Sequence, residues 1–422
     1  MSIQPNNNHG FRGNEPTFEE IAAKYPEFPR LVMLKTDIHR RGVYYTEETL
    51  EAFDASVYQV GGTYTFGTRD GGKLTSRPQG FLLRDGTSVF ASPTPLEQDP
   101  YIVDLVDGVP YLFDNGKALE EIEYWTKPDY YDKQTKSGVF MQNVINGSPQ
   151  KLYITANRYC HFWNNGNGCR FCDIVNNLKH QKDEFNVQTR LKIEDIVETM
   201  EEALKEPGRF TTVSMTSGSD YRGDEAFETE LNYYVDILNA IDNCFEVKKY
   251  PSHMICTALK KEQLQKLYDT TGISSVTMDI EVLNEKLFNE MCPGKAEWIG
   301  YKEWKKRLID AVDIFGKGMV NTGIVSGIEL VGENRFKTED EALKAILEEA
   351  EELASYGVST VNGVWIPRPN THLAGEKNAS LEYYVRLATG LQGLRAKYGI
   401  HVDFDDYRRC GNHPDSDLQR VF

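Results

Sequence analysis

The sequence contains no apolar run approaching the roughly 20 residues that a helix needs to cross a bilayer, so no membrane partner is expected. It has no excess of positive charge. Lys and Arg number 47 against 64 Asp and Glu, a formal net charge of −17. Such a surface repels phosphate backbones, and nucleic acid is not an expected partner. The stretch from Met1 to Gly10 lacks the positive start and apolar core of a secretory signal, and a cytoplasmic location is expected. Cysteine is scarce: there are seven in 422 residues, an odd number. Three of them crowd into residues 160–172, unlike an evenly spread disulfide framework, and in a reducing compartment that crowding reads first as a metal site. What is present, 40% apolar and 26% charged residues, is the composition of a soluble, core-forming chain with room for two or three domains.

Residues 1–148 form the first expected unit, an α+β extension. Thr17-Phe-Glu-Glu20 is a capping-box start for a short helix, and a second helix is expected over Glu47 to Phe53. Short strand-like runs follow at Gly61 to Phe66, Gly80 to Leu83, Ser88 to Ala91, Tyr101 to Val106 and Val109 to Phe113, separated by Asp-Gly and Asn-Gly turns. His39, Arg40 and Arg41 are expected on an exposed, solvated loop. The segment has no cysteine, so it cannot build a thiolate site of its own. Its aromatics, among them Tyr44, Tyr45, Tyr64, Phe66 and Phe81, suit a cover over a neighbouring site or a small core of its own.

From about residue 149 strands and helices alternate. Strands are expected at Leu152 to Ala156, Thr211 to Met215, His253 to Thr257, Ser275 to Glu281, Val320 to Ser326 and Val361 to Ile366, with a further run at His401 to Phe404. Between them Ile193, Ile196, Val197, Met200 and Leu204 share one helical face, as do Leu231, Val235, Leu238 and Ile241. Trp304, Leu308, Ala311, Val312 and Phe315 form a third such face, and Leu343, Ile346, Leu347, Ala350 and Leu353 a fourth. Six βα units in this length predict an α/β barrel, open or full, with its chemistry at the carboxyl ends of the strands. Residues 149–375 are the expected barrel, and residues 376–422 a helix and tail packed on it.

Directly after the first barrel strand, Cys160, Cys169 and Cys172 stand in a Cys-x8-Cys-x2-Cys run on a loop rich in asparagine and glycine. Three thiolates this close hold three corners of a cubane iron–sulfur cluster and leave the fourth iron open. Glycine and asparagine tolerate positive φ, so backbone N–H groups can turn toward the sulfur atoms. The other reading of these residues is a zinc knuckle of Cys160, His161, Cys169 and Cys172, which would make the chain a zinc-stabilised barrel that binds a ligand or partner.

These residues resemble the radical S-adenosylmethionine (radical SAM) superfamily, whose members carry three cysteines after the first strand of a partial (βα)6 barrel, commonly with an aromatic before the last. Phe171 precedes Cys172 as that pattern expects; the eight-residue first spacing departs from it. The resemblance covers roughly residues 150–370. It implies that Cys160, Cys169 and Cys172 hold a [4Fe–4S] cluster and that S-adenosylmethionine (SAM) binds its open iron. The turn Thr216-Ser217-Gly218-Ser219 falls where the family receives the SAM ammonium, although the family's glutamate and proline are missing. Glu281, at the end of the fourth strand, is expected to accept the ribose hydroxyl hydrogens, and Asn284 either joins it or caps the next helix. Gly323-Ile324-Val325-Ser326-Gly327-Ile328-Glu329 is similar to the family's adenine-binding strand, with Val325 pressed on the ring.

The resemblance further implies reductive cleavage of SAM to a 5′-deoxyadenosyl radical that takes hydrogen from a small-molecule or peptide substrate. An electron donor such as flavodoxin or ferredoxin is implied as a partner. No cobalamin-binding signature of the Asp-x-His-x-x-Gly kind is present. Arg368, after the sixth strand, is a candidate for a substrate carboxylate or phosphate. Cys292 is expected to be a small buried residue at a helix end, and His253 a hydrogen-bonded core residue. Cys244, Cys256 and Cys410 are scattered singly, so no second cluster is expected.

Overall fold

A computed structural model of the chain describes residues 13, 15–62, 68–246, 252–400 and 411–421, the side chains of 420 and 421 excepted. The expected strand at Gly61 to Phe66 falls largely outside these residues. The expected run at His401 to Phe404, Cys410, and the aromatics Tyr64 and Phe66 lie outside them altogether.

Helix α1 (Phe18–Lys24) starts on the expected capping box, in which the Thr17 backbone N–H donates to Glu20 Oε2 and the Glu20 N–H to Thr17 Oγ1. Helix α2 (Arg30–Arg41) follows, then β1 (Val43–Tyr45) and α3 (Glu47–Ala52), which is capped by Thr46. Strands β2 (Gly80–Leu83), β3 (Ser88–Phe90), β4 (Tyr101–Val106), β5 (Val109–Asp114) and β6 (Lys117–Tyr124) join β1 in a six-stranded sheet of order β1-β4-β5-β6-β2-β3. Three glutamates disguise β6 in the sequence. Its alternation places Glu120, Ile122 and Tyr124 inward and Glu121 and Glu123 outward, and Lys117 and Ala118 are exposed ahead of an irregularity in the pairing with β5.

Helix α2 corrects the reading of His39, Arg40 and Arg41. They are helical and only 7%, 3% and 5% exposed. Buried guanidinium groups persist only when paired, and these are. Arg40 donates to Asp37 Oδ1 at 2.7 Å and to Glu15 Oε2 at 2.6 Å. Arg41 donates to Asp114 Oδ1 at 2.7 Å, and its guanidinium lies 4.2 Å from the centre of the Tyr101 ring.

The second sheet contains β7 (Ile145–Gly147), β8 (Lys151–Asn157), β9 (Thr212–Ser217), β10 (Ser252–Ile255), β11 (Ser275–Thr277), β12 (Val320–Ser326) and β13 (Val358–Val364). Strands β8 to β13 run parallel and in sequential order, and β7 pairs antiparallel to β8 at one edge. The connections carry α4 (Ile174–Phe185), α5 (Ile193–Ala203), α6 (Glu228–Asp242), α7 (Lys261–Thr271), α8 (Glu285–Met291), α9 (Pro293–Trp298), α10 (Tyr301–Phe315) and α11 (Glu339–Ser355). Six parallel strands in sequence order, each followed by helix, in a sheet that ends at β13 and β7 among the described residues, make an open, partial (βα)6 barrel. The fourth strand is shorter than its sequence suggests, ending at Thr277, and the sixth starts three residues earlier, at Val358.

The two faces of this sheet differ in chemistry. Leu152, Ile154, Val213, Met215, Met254, Val276, Met278, Val320 and Ile324 point to the helices, where they join one apolar core with the buried residues of α5, α6, α10 and α11. The concave face alternates with it and is polar. It carries Tyr153, Ser214, His253 and Ser275 in one row of neighbours, and Thr277, Asn321 and Ser359 in another. The amino-terminal unit meets this face, with Gln79 Nε2 donating to Asn146 Oδ1 at 2.7 Å and the Phe90 ring 6.4 Å from that of Tyr153. Helix α12 (Leu381–Tyr398) serves both units. Tyr384 and Leu387 enter the barrel core, while Leu381 and Val385 enter the core beneath the six-stranded sheet.

Candidate active site

The loop after β8 is fixed from two sides. The His161 N–H donates to the Ser219 carbonyl and the Gly218 N–H to the Asn157 carbonyl, both at 2.8 Å, which seats the loop on the turn after β9. Gly218 is required by closeness: a Cβ there would stand 2.4 Å from the Tyr159 carbonyl oxygen. On the other side the Arg170 N–H donates to the Met291 carbonyl and the Gly294 N–H to the Asn167 carbonyl, which ties the loop to the elbow between α8 and α9.

This clamping brings Cys160, Cys169 and Cys172 close enough for each to feel the charge of the others. Burial pushes the Cys160 thiol up to about 11, the charge of Cys169 adds to that, and N–H groups of Phe162 and Ser219 at its sulfur oppose it. Cys172 is pushed well up by burial and then by Cys169, with the Ile174 N–H opposing. Inward N–H donors of this kind offset negative charge on clustered sulfur. Among the described residues no three His, Cys, Asp or Glu side chains converge on a point where a single metal ion would sit. A zinc knuckle needs that convergence, whereas a cubane takes each thiolate on a separate iron. His161 is also turned away, its Nδ1 at 3.2 Å from the Ser219 carbonyl oxygen. Three thiols with inward N–H donors have the donor chemistry that a cubane cluster takes.

Beyond Thr277 the fourth strand breaks, and Glu281 adopts a left-handed φ of +70°, unusual for a side chain of its size and typical of strained functional positions. It still bridges to β12, its N–H donating to the Gly323 carbonyl and its carbonyl accepting from the Val325 N–H at 2.9 Å. Glu281 and Val325 are thereby brought together at the strand ends. Lys295 Nζ donates to Glu281 Oε1 at 2.7 Å and to the Asp279 carbonyl at 2.5 Å. Burial pushes the Glu281 carboxyl up to about 7 against the pull of Lys295.

Asn284 spends its Oδ1 on the N–H groups of Lys286 and Leu287, so it does cap α8. Thr216 sits partly buried beside Thr155, and Ser217 Oγ donates to the Gly218 carbonyl at 2.8 Å. Ser219 Oγ accepts from Thr257 at 2.8 Å. Phe171 packs against the barrel core. Glu329 does not line the strand end with Val325. It is buried under the turn at Gly327, whose N–H it accepts at 2.9 Å, and Tyr383 donates to it. Arg368 lies with its Nε 4.0 Å from Asp173 Oδ1, beside the last cysteine of the run.

Two more residues border the cysteines: Cys292, a small buried residue at a helix end as expected, and Lys295, to which sequence reasoning gave no part. Cys292 is fully buried against Cys169, and its thiol, together with the Lys295 ammonium, pulls Cys169 below the usual thiol range, so Cys169 is the one of the pair that ionises. Lys295 itself is held protonated by Glu281 and by Cys169. Both lie in Cys292-Pro-Gly-Lys295, more than 120 residues after Cys169, and only the packing of the α8–α9 elbow on the cysteine loop brings them in.

No protein-family model matches the chain, and no curated protein sequence does. Among solved structures it is similar to a methylornithine synthase (PylB), at 15% identity over 64% of this chain and 78% of that one, with a TM-score of 0.39. It is also similar to a radical SAM methyltransferase from Sphaerobacter thermophilus, at 14% identity over 95% of this chain and 98% of that one, TM-score 0.41. A third is the cobalamin-dependent S-adenosylmethionine radical enzyme OxsB, at 13% identity over 64% of this chain and 35% of that one, TM-score 0.33. No described helix is long and apolar enough to cross a membrane.

Proposed function

We propose that the chain is a radical SAM enzyme with Cys160, Cys169 and Cys172 as the ligands of a [4Fe–4S] cluster. The observation that carries this reading is the meeting of three cysteine thiols, with N–H donors at Cys160 and Cys172, at the carboxyl end of an open parallel barrel. Bound there, the cluster with SAM would supply a 5′-deoxyadenosyl radical able to take hydrogen from an unreactive carbon. The chain's own part is to bind, orient and shield. Thr216, Ser217, Gly218 and Ser219 border the cysteine loop and offer polar backbone to the SAM methionine group. Glu281 accepts hydrogen bonds from the ribose, Val325 lies beside it for the adenine, and Phe171 packs under the loop. Lys295 balances thiolate charge and holds Glu281 in place. The amino-terminal unit shields the concave face of the barrel from water.

The reading is tested by anaerobic reconstitution with iron and sulfide. The expected result is a brown protein that bleaches with dithionite and loses its iron in Cys169→Ala. Tightly bound zinc in protein purified without oxygen, with no uptake of iron, would overturn it.

A further inference from the structure

The concave face of the barrel changes from sealed to open along its strands. Tyr153, Ser214, His253, Thr277 and Asn321 are at most 3% exposed and form a closed floor. Thr155, Thr216, Ile255, Asp279 and Gly323 each stand two residues further along the same chain segment, so they point the same way, and all five are partly exposed. Space therefore opens above the floor, at the carboxyl-end side where the cysteine loop sits. Asp279 is the charged member of this open ring. The Met278 N–H donates to the Asn321 carbonyl at 3.0 Å, which carries the ladder one residue past β11 and turns Asp279 inward. The Gly323 N–H donates to Asp279 Oδ1 at 2.7 Å. A Cβ at position 323 would stand 2.5 Å from that oxygen, so glycine there makes room for the carboxylate and its backbone fixes it.

The surrounding charges leave this carboxylate unpaired. Lys295 gives its ammonium to Glu281 Oε1 and to the backbone carbonyl of Asp279, not to the Asp279 carboxylate. Arg368, after the sixth strand, stands beside Asp173. Lys151 and His413 act on His253, in the floor below. Asp279 has no ion-pair partner among the described residues, and its Oδ2 accepts no hydrogen bond from them. A carboxylate held in place, half out of water and without a counter-charge draws a cation that carries N–H donors. It repels an anion, and a neutral group would leave its charge unanswered.

We propose that Asp279 receives a cationic nitrogen group of the substrate, an ammonium or a guanidinium, through Oδ2, with Gly323 as the residue that positions the carboxylate. The proposal names a substrate class for the functional reading above and rests on it in taking the substrate into the barrel. In that reading the methionine group of SAM lies at the turn after β9 and its ribose at Glu281. Asp279 is set one step deeper, between those groups and the floor, which is the substrate's side of the site.

The test is the melting temperature of the full, cluster-loaded chain with SAM and with n-butylamine, n-butylguanidine or n-butanol, three probes that share a chain and differ in the head group. A cationic probe should raise it, which identifies the ammonium or the guanidinium as the ligand chemistry, and butanol should not. Asp279→Asn keeps an oxygen for the Gly323 N–H and should abolish the rise, while its iron content and its SAM affinity stay those of the parent. Ile255→Lys should abolish it as well and covers the case in which the Asp279 variant fails to fold. Ile255 is in register with Thr277 on the next strand, so a lysine there sends its own ammonium into the open ring beside Asp279. No rise with either cation, an equal rise with butanol, or a rise that survives in either folded variant overturns the proposal. Weakened SAM binding in Asp279→Asn would place the carboxylate in the SAM site and overturns it too. Iron and sulfide content of the same samples separates the two readings. Protein that loads iron but ignores both cations defeats this inference alone, and protein that takes up no iron but responds to a cation through Asp279 overturns the proposed function and leaves this binding site standing.

Discussion

Lys295 Nζ stands 2.7 Å from Glu281 Oε1, and the two side chains are only 10% and 18% exposed. The pair fastens the broken end of the fourth strand to the α8–α9 elbow on which the cysteine loop rests. Removing one partner leaves the other as an uncompensated charge in a mostly dry place, which is worse than removing both. Lys295→Met is therefore expected to lose about 3–5 kcal/mol of stability to urea. Adding Glu281→Gln to that variant should recover most of the loss. A single variant as stable as the parent would show that the pair is not held in solution.

The same carboxylate gives a binding prediction. With Glu281 accepting from the SAM ribose, Glu281→Gln should retain its iron and weaken SAM by about 1.5–3 kcal/mol, the range for a hydrogen bond to a charged group. Equilibrium dialysis of the reconstituted protein reads this directly. Equal affinity in the two proteins would mean that the carboxylate serves Lys295 alone.

Cys292 touches the cysteine site without belonging to its Cys-x8-Cys-x2-Cys run. Its thiol lowers Cys169 more than any other group does, so it acts through that sulfur. Cys292→Ala should take up as much iron as the parent while its cluster becomes harder to reduce, because a donor that favours the more negative state is gone. A redox titration followed by absorbance checks this. Loss of iron in the variant would instead make Cys292 a ligand.

The barrel was legible because its helices and strands repeat strong patterns. The face led by Leu231 is wholly buried, those led by Trp304 and Leu343 are buried except for Val312 and Leu347, and the face led by Ile193 buries Ile196 and Met200 and leaves Ile193, Val197 and Leu204 partly exposed. The cysteine loop was legible because its three cysteines fall within thirteen residues of sequence. Lys295 was not, since its role arises from an elbow packing on a distant loop and a lysine after Pro-Gly carries no local sign of burial. The polar concave face was hidden for a different reason. Period-two alternation in strands such as Val320 to Ser326 is visible, but sequence does not say that the polar side is also enclosed. Helix α2 was missed because Lys35, Asp37, His39, Arg40 and Arg41 look like a solvated stretch, and only their long-range partners Asp417, Glu15 and Asp114 reveal them as interior.

That network yields a prediction of its own. Asp37 is 1% exposed and accepts from Arg40 and from the Tyr101 hydroxyl, both at 2.7 Å, with Arg41 3.5 Å away. Asp37→Leu would leave two buried guanidinium groups short of charge, and a loss of about 3–5 kcal/mol is expected. Chemical denaturation measures it; a loss below about 1 kcal/mol, the scale of an exposed pair, would mean that water reaches the site.

Stability should also depend on pH through the buried histidines. His253 is 1% exposed, with Nδ1 2.8 Å from Ser275 Oγ and Nε2 2.9 Å from Thr277 Oγ1, and burial lowers it well below the usual 6.5. His39 is lowered to about 3, by burial first and by Lys35 next. A histidine held neutral in the fold binds its proton more readily once unfolded. Its contribution is whole above pH 6.5 and is lost as the pH falls toward the folded value, by about 2 kcal/mol per histidine between pH 7 and pH 5. Glu230 and Glu281, both raised to about 7 chiefly by burial, act in the opposite sense over the same range, because there the folded state holds the extra proton. The total slope of the parent is therefore partly cancelled, and the comparison with a variant isolates the histidine. The stability of the parent relative to His253→Gln should shrink by about 2 kcal/mol when urea unfolding is repeated at pH 5 instead of pH 7. A difference that does not change with pH would show that His253 already carries its proton in the folded protein.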